Sequence, residues 1–328
     1  MIPRPERVRP AFADPGAVIG LIRDAGSYWP LARYARSAEE QAASGGGAGG
    51  GSFVPPWFRQ DVALGGVERI DGADVLLHNP AFVEAAQRVF ERDRIVRPTT
   101  VYVNLMTPCT YPFIAHVDVP AFRGITRARY PVWLLHQMKV SGLFEPWRIR
   151  LATAVSWFFD GPGGAFHYWP EGPEGAAVTI EPPFDNVAVV ADNERVYHGV
   201  GPLVPPGQAE LTDLSIDAEL RRRTDGDGWD VIDGGVRRAS YDDAEVRVTV
   251  SWKAEVFRDE EEQHIVDDHL DDLTIDRVVA AFGDDLVARD VAVPPGDDPL
   301  QDPRWIQALT ATYAERPPHI GPWEGEVP

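Results

Sequence analysis

The stretch Thr99-Thr100-Val101-Tyr102-Val103-Asn104-Leu105, followed by His116-Val117-Asp118 and answered far downstream by Val196-Tyr197-His198-Gly199-Val200-Gly201-Pro202, decides how this chain is read. The first run alternates polar and β-branched or aromatic residues and stops at the turn-forming pair Thr107-Pro108, the signature of a half-buried strand. Along a strand, side chains i and i+2 point to the same face. His116 and Asp118 can therefore converge on one ion while Val117 packs behind them.

Two imidazoles and one carboxylate can hold one face of an octahedral ferrous ion and leave positions open for a co-substrate and dioxygen. A lone His-x-Asp arises by chance in many chains, so the surroundings carry the weight. Further strand-like segments lie between the two histidine sites: Ala152 to Phe159, Gly163 to Pro170, Val178 to Ile180 and Asn186 to Val190. Short strands separated by Gly, Pro and Asp turns predict an all-β sandwich or barrel.

The order of these segments resembles the double-stranded β-helix (jelly-roll) core of the Fe(II)/2-oxoglutarate-dependent oxygenases. The likeness runs from the strand and His116-Val117-Asp118 to a Gly163-Gly164 turn that opens an aromatic strand ending in Trp169-Pro170-Glu171-Gly172. It continues through the turn Pro182-Pro183-Phe184-Asp185-Asn186 to His198-Gly199-Val200. It covers residues 99 to 257 and implies decarboxylation of 2-oxoglutarate to succinate and CO2, coupled to oxidation of a bound substrate by O2. His116, Asp118 and His198 would be the iron ligands. A carboxylate at position 118 leaves no vacant site for chloride, so hydroxylation, desaturation, epoxidation or ring formation is expected ahead of halogenation.

The resemblance also implies a cation for the distal carboxylate of 2-oxoglutarate on the last core strand, with a hydroxyl residue two positions on. Arg247-Val248-Thr249 matches, and period-two alternation puts Arg247, Thr249 and Ser251 on one face. A guanidinium suits a carboxylate because its planar fork donates parallel hydrogen bonds. In the family this strand follows the distal His closely. Here residues 203 to 244 intervene, charged and rich in Gly and Asp, and read as an inserted surface excursion. Arg237, Arg238 and Lys253 stand as substitutes for the anchor. Tyr102 and Asn104 share a face of the strand before His116, where related enzymes place a hydroxyl or amide against the co-substrate.

Substrate contacts are expected from Arg123 and Trp133 on the loop after Asp118, since loops on a rigid scaffold commonly carry binding residues. Trp157 and His167 join them on aromatic strands whose residues Phe159, Tyr168 and Trp169 suggest an apolar or aromatic lining. A surface role for Arg123 and a core role for His167 are the competing readings.

Composition narrows the class. Net charge is -20 and the only lysines are Lys139 and Lys253, which disfavours a nucleic-acid substrate, because phosphate backbones are bound through clustered Lys and Arg. One cysteine, Cys109, permits no internal disulfide, and neither a signal-peptide core nor an apolar run of membrane-spanning length is present, so a cytoplasmic enzyme is expected. At 328 residues a single domain fits, mainly β with flanking helices. Residues 1 to 98 form a mostly helical flank, residues 99 to 257 the core, and residues 258 to 328 an acidic helical flank. The flanks would complete the pocket or a homo-oligomer interface. The tract Ser44 to Ser52 reads as a flexible linker or a lid hinge.

The expected partner is a small organic molecule, such as one from secondary metabolism. Two other classes share the pattern. A cupin-like metalloenzyme that does not use 2-oxoglutarate would keep the three ligands without needing Arg247. A catalytically silent jelly-roll binding module would need neither.

Overall fold

A computed structural model of the chain describes residues 2–34, 54–91, 94–204 and 210–321, so the tract Ser44 to Ser52 lies outside the described residues. Eight strands build the core: Ile95–Met106, Phe113–His116, Arg148–Phe158, Phe166–Trp169, Val178–Ile180, Ala188–Ala191, Tyr197–Val200 and Arg247–Phe257. The large sheet has the order Glu6–Val8, Ala188–Ala191, Arg148–Phe158, Arg247–Phe257, Ile95–Met106, Trp57–Leu64, Trp29–Pro30. The small sheet has the order Val178–Ile180, Phe166–Trp169, Tyr197–Val200, Phe113–His116. Followed along the chain, the eight core strands visit the large and small sheets in the sequence large, small, large, small, small, large, small, large. That winding is a double-stranded β-helix.

The chain divides into two compact units, residues 1–117, 151–256 and 318–328 in the first and 118–150 with 257–317 in the second. Sequence reading keeps residues 118–150 in one domain with the core strands; in the structure they group with the C-terminal helices instead.

In the first unit, strand parity sorts the large sheet into two faces. Val101, Val103 and Leu105, with Val246, Val248, Val250, Trp252, Ala254 and Val256, join one apolar cluster with residues of the helices Pro15–Asp24 and Pro80–Val89. The second helix starts at Pro80, which suits a first turn, and the Asn79 side chain accepts a hydrogen bond from the Ala81 N–H at 3.0 Å. The opposite face carries Val155, Trp157 and Val189, which pack with Phe166, Ile180 and Phe184 into a second cluster. Arg247, Thr249 and Ser251 have the opposite parity from the first cluster and therefore share this inner face.

Two flanking expectations are corrected. The N-terminal flank is a mixture of strands and helices, because Trp57–Leu64 pairs antiparallel with Ile95–Met106. Its alternation is hidden by a register shift between Asp61 and Ala63, which lets both Val62 and Ala63 enter the core. The insertion after the distal histidine is more than a surface excursion. Glu219–Arg222, Trp229–Asp233 and Val236–Tyr241 form a three-stranded sheet, and Leu220, Trp229 and Val231 are buried in the main core cluster.

The second unit has its own core, in which Phe122, Leu134, Leu135 and Phe144 pack against Phe282, Trp305 and Leu309. Its helices Ile275–Ala288 and Pro303–Thr312 begin at Thr274 and Asp302, whose side chains accept from backbone N–H groups of the first turn. No helix among the described residues is long and apolar enough to cross a membrane.

Gly199, next to the distal histidine, sits where strand backbones approach closely. A Cβ there would lie 2.4 Å from Ile320 Cδ1, 2.7 Å from the Phe113 carbonyl oxygen and 3.1 Å from that of Ile114. Two of these neighbours are backbone and cannot swing away, so Gly199→Ala should cost about 1–3 kcal/mol by overpacking. Thermal unfolding followed by circular dichroism checks this, with a drop of several degrees in Tm expected.

Candidate metal centre

The small sheet places the two histidines opposite one another. Tyr197–Val200 runs antiparallel to Phe113–His116 with His198 directly across from His116, so both side chains leave the same face of the sheet. Their ring centroids are 4.4 Å apart. Asp118 follows His116 by two residues, and one ligand atom from each of His116, Asp118 and His198 lies within 4.8 Å of the others. Val117 packs on the other side of the strand with Ala115, Trp169, Tyr197 and Ile320.

Both rings are held in the same tautomer. The Nδ1 of His116 lies 2.9 Å from the Ile114 carbonyl oxygen, and that of His198 lies 3.1 Å from the carbonyl oxygen of Val196. A carbonyl only accepts, so each Nδ1 carries the proton and each Nε2 carries the lone pair that binds a metal. Phe113 packs edge-on against His116 at 4.8 Å and fixes the ring plane. Two Nε2 atoms and one carboxylate form a donor set suited to ferrous iron.

On the large sheet, Arg247 is 1% exposed and no carboxylate pairs with it among the described residues. Its Nε donates to the Gly164 carbonyl oxygen at 2.8 Å and its Nη1 to Thr249 Oγ1 at 2.7 Å. Nη2 is buried without a partner. The guanidinium carbon lies 5.3 Å from the Phe184 ring centroid. Burial pushes its pKa down to about 9, which still leaves it charged at neutral pH. Two of the three alternative anchors are engaged elsewhere: Arg237 lies near Asp225 and Asp230, and Arg238 near Asp233.

An aromatic layer joins the two groups. From His198 the ring of Phe166 is 6.1 Å away, from Phe166 to Trp157 is 4.7 Å, from Trp157 to Phe184 is 5.1 Å, and the Arg247 guanidinium rests on Phe184. Tyr102 and Asn104 lie on the parity of Ile95–Met106 that faces away from the main core cluster. The Asn104 Oδ1 is buried without a partner, and the Tyr102 ring is covered by the Arg59 guanidinium at 3.7 Å.

Three residues expected to touch substrate, Arg123, Trp133 and His167, are each engaged in other contacts. Arg123 is buried in the second unit, where it donates to both carboxylate oxygens of Asp271, at 2.6 and 2.8 Å, and to the Pro146 carbonyl oxygen. Those contacts use its fork to pin a loop. Trp133 packs partly buried on the core of that same unit. His167 is opposite Gly199 and Thr179, with its Nδ1 3.0 Å from Thr179 Oγ1, whereas its neighbour Tyr168 is the residue across from His198. A one-residue offset puts His167 on the far side of the sheet. Trp157 is in the interior, 1% exposed and sandwiched by Phe166 and Phe184, and its indole Nε1 has no hydrogen-bond partner. Sequence reasoning missed Phe184 and Gly164, although the Pro182-Pro183-Phe184 turn and the Gly163-Gly164 pair mark both positions.

No protein-family model matches the sequence, and no curated protein is similar to it. Solved structures align over most of the chain. One is a 2OG-Fe(II) oxygenase family oxidoreductase from Burkholderia pseudomallei, 11% identical, covering 76% of this chain and 85% of that chain, with a TM-score of 0.40. Another is the Trichoplax adhaerens prolyl hydroxylase in complex with a hypoxia inducible factor peptide, 12% identical over 80% of this chain and 87% of that chain, with a TM-score of 0.38. OsALKBH1 aligns at 13% identity over 77% of this chain and 98% of that chain, with a TM-score of 0.36. The fold assignment rests on the strand order and not on these superpositions.

Gly164 has φ +65°, and a Cβ on it would lie 2.8 Å from Arg247 Cδ and 3.1 Å from its Nε. Gly164→Ala should therefore strain the turn and displace the guanidinium together. The expected outcome is a stability loss of about 1–3 kcal/mol by chemical denaturation, from left-handed strain plus overpacking.

Proposed function

We propose that the protein is an Fe(II)- and 2-oxoglutarate-dependent oxygenase that oxidises a small organic molecule, by hydroxylation or by desaturation, epoxidation or ring closure. One observation carries the reading. A 2-His-1-carboxylate ligand set shares the interior with a buried guanidinium whose Nη2 has no acceptor. A buried charge without a partner is expensive, so a site that keeps one is built for an anion that arrives from outside.

Tyr168, the partner of His198 in the ladder, and Gly164, which holds Arg247, lie four positions apart on one segment of chain, so the same segment contacts both the metal ligand and the guanidinium. Bound together at this site, ferrous iron and 2-oxoglutarate would supply an oxidant derived from dioxygen, releasing succinate and CO2.

The chain's own contributions follow from its contacts. Backbone carbonyls hold both imidazoles in the metal-binding tautomer, and Asp118 occupies the position a halide would otherwise need. Arg247, with its Nη1 fixed by Thr249, orients the distal carboxylate, and the Phe166, Trp157 and Phe184 rings exclude water between the two ends. Tyr102 and Asn104 are further candidates for the co-substrate. We place the enzyme in the cytoplasm and outside nucleic-acid chemistry on the strength of its acidic charge and lone cysteine. The cupin-like alternative has no use for a buried, unspent guanidinium.

Two outcomes test this. His116→Ala, Asp118→Ala and His198→Ala should each lose Fe(II) binding and turnover while the far-ultraviolet spectrum stays unchanged; iron binding by His198→Ala at the unmodified level would remove the ligand assignment. Arg247→Gln should weaken 2-oxoglutarate binding by roughly thirtyfold or more, as expected for a charge-assisted contact of about 2–5 kcal/mol. Anaerobic titration of the Fe(II)-loaded protein, followed by the metal-to-ligand charge-transfer band, measures both midpoints. Absence of any band in the unmodified protein would favour the cupin-like reading.

A further inference from the structure

Two buried N–H donors on the inner face of the large sheet have no acceptor among the described residues, Arg247 Nη2 and Trp157 Nε1. Their strands are hydrogen-bonded neighbours, and the Ser156 hydroxyl donates to the Val250 carbonyl oxygen at 3.3 Å across that seam. Both side chains rest on one ring. The Arg247 guanidinium carbon is 5.3 Å from the Phe184 centroid, and the Trp157 ring is 5.1 Å from it at a tilt of 32°.

A buried indole N–H ordinarily finds an acceptor. Trp157 packs as an apolar ring would, between Phe166 and Phe184, and packing alone would be served by Phe without stranding a donor. The arrangement of Arg247 sharpens the point. Its Nε donates to Gly164 and one N–H of Nη1 to Thr249, which leaves Nη2 as the guanidinium nitrogen with no acceptor among the described residues. A carboxylate has two oxygens, and one corner of a guanidinium leaves part of that acceptor capacity unmet.

We propose that Trp157 is a second anchor for the distal carboxylate of 2-oxoglutarate, its Nε1–H donating to one oxygen while Arg247 Nη2 donates to the other. This rests on the reading of the site as a 2-oxoglutarate site. It gives the indole a role that a space-filling ring lacks. Because the extra donor is uncharged and fixed by stacking, it favours a planar carboxylate at one distance from the metal and adds selectivity against 2-oxo acids that end in a methyl group.

The test uses the Zn(II)-loaded protein, which binds without turnover, and compares 2-oxoglutarate with 2-oxobutyrate, which keeps the 2-oxo acid end and lacks the distal carboxylate. Trp157→Phe preserves the stack and deletes the N–H. By calorimetric titration it should weaken 2-oxoglutarate binding about tenfold, the size of one neutral donor to a charged acceptor, and leave 2-oxobutyrate binding unchanged. In the 15N–1H spectrum of the unmodified protein, the Trp157 indole resonance, assigned through its own backbone, should move downfield with 2-oxoglutarate and stay in place with 2-oxobutyrate. That second readout stands even if the variant misfolds. Tight 2-oxoglutarate binding with an unmoved indole resonance, or an unchanged affinity in a folded Trp157→Phe, overturns the role of Trp157 and leaves the co-substrate assignment intact. If the unmodified protein binds 2-oxobutyrate and 2-oxoglutarate equally, or neither, the co-substrate assignment itself falls and the anchor with it.

Discussion

The register of one antiparallel pair, His198 against His116, is the constraint on which the rest of the site depends. A shift of one residue in either strand would send one imidazole to the far side of the sheet. The register is held from both sides. Val117, Ala115, Tyr197 and Trp169 form an apolar layer with Ile320 behind the strands, and Gly199 lets the backbones come close enough to pair. The carbonyls of Ile114 and Val196, each two residues before its histidine, then orient both rings by the same device. The placement of both imidazoles is thus written into the ladder, while Asp118 lies on the segment just past the end of the strand.

Arg247 makes the opposite kind of demand. Taking a guanidinium out of water costs several kcal/mol, and two neutral acceptors, Gly164 and Thr249, offset only part of that. The remainder is carried by the apolar packing on the other face of the same strand, where Val246, Val248, Val250 and Trp252 sit in the main core cluster. Strand parity lets a single segment serve both purposes. Core burial on one side holds an energetically unfavourable group in place on the other.

What the sequence made legible follows this division between local and long-range information. His116 and Asp118, and Arg247 and Thr249, are spaced i, i+2, so each pair's shared face could be read without knowing the fold, although the strand that carries His116 ends there and Asp118 lies just beyond it. The helices at Pro80 and Pro303 begin at a proline that follows an Asn or Asp cap, a pattern local to the sequence. His167 was not readable, because both faces of Phe166–Trp169 carry aromatic residues and no alternation distinguishes them. Arg123 looked like a pocket residue because its partner, Asp271, lies 148 positions away. The three-stranded sheet at 219–241 was hidden by the Arg and Asp residues on its exposed side, although Leu220, Trp229 and Val231 bind it to the core. The grouping of 118–150 with 257–317 likewise depends on contacts between segments more than a hundred residues apart.

The place of the strand Arg247–Phe257 has a kinetic consequence. It is the last core strand in the sequence, yet in the large sheet it lies between Arg148–Phe158 and Ile95–Met106. Until the ribosome has delivered it, those two strands have no partner between them and each presents an open edge. Closing the sheet requires pairing across roughly 150 residues of chain, which places assembly among slow, non-local folding events. Arg247 is therefore among the last parts of the core to take its place. A nascent chain that stalls before residue 247 exposes two unpaired hydrophobic edges, the form of this protein most prone to aggregate.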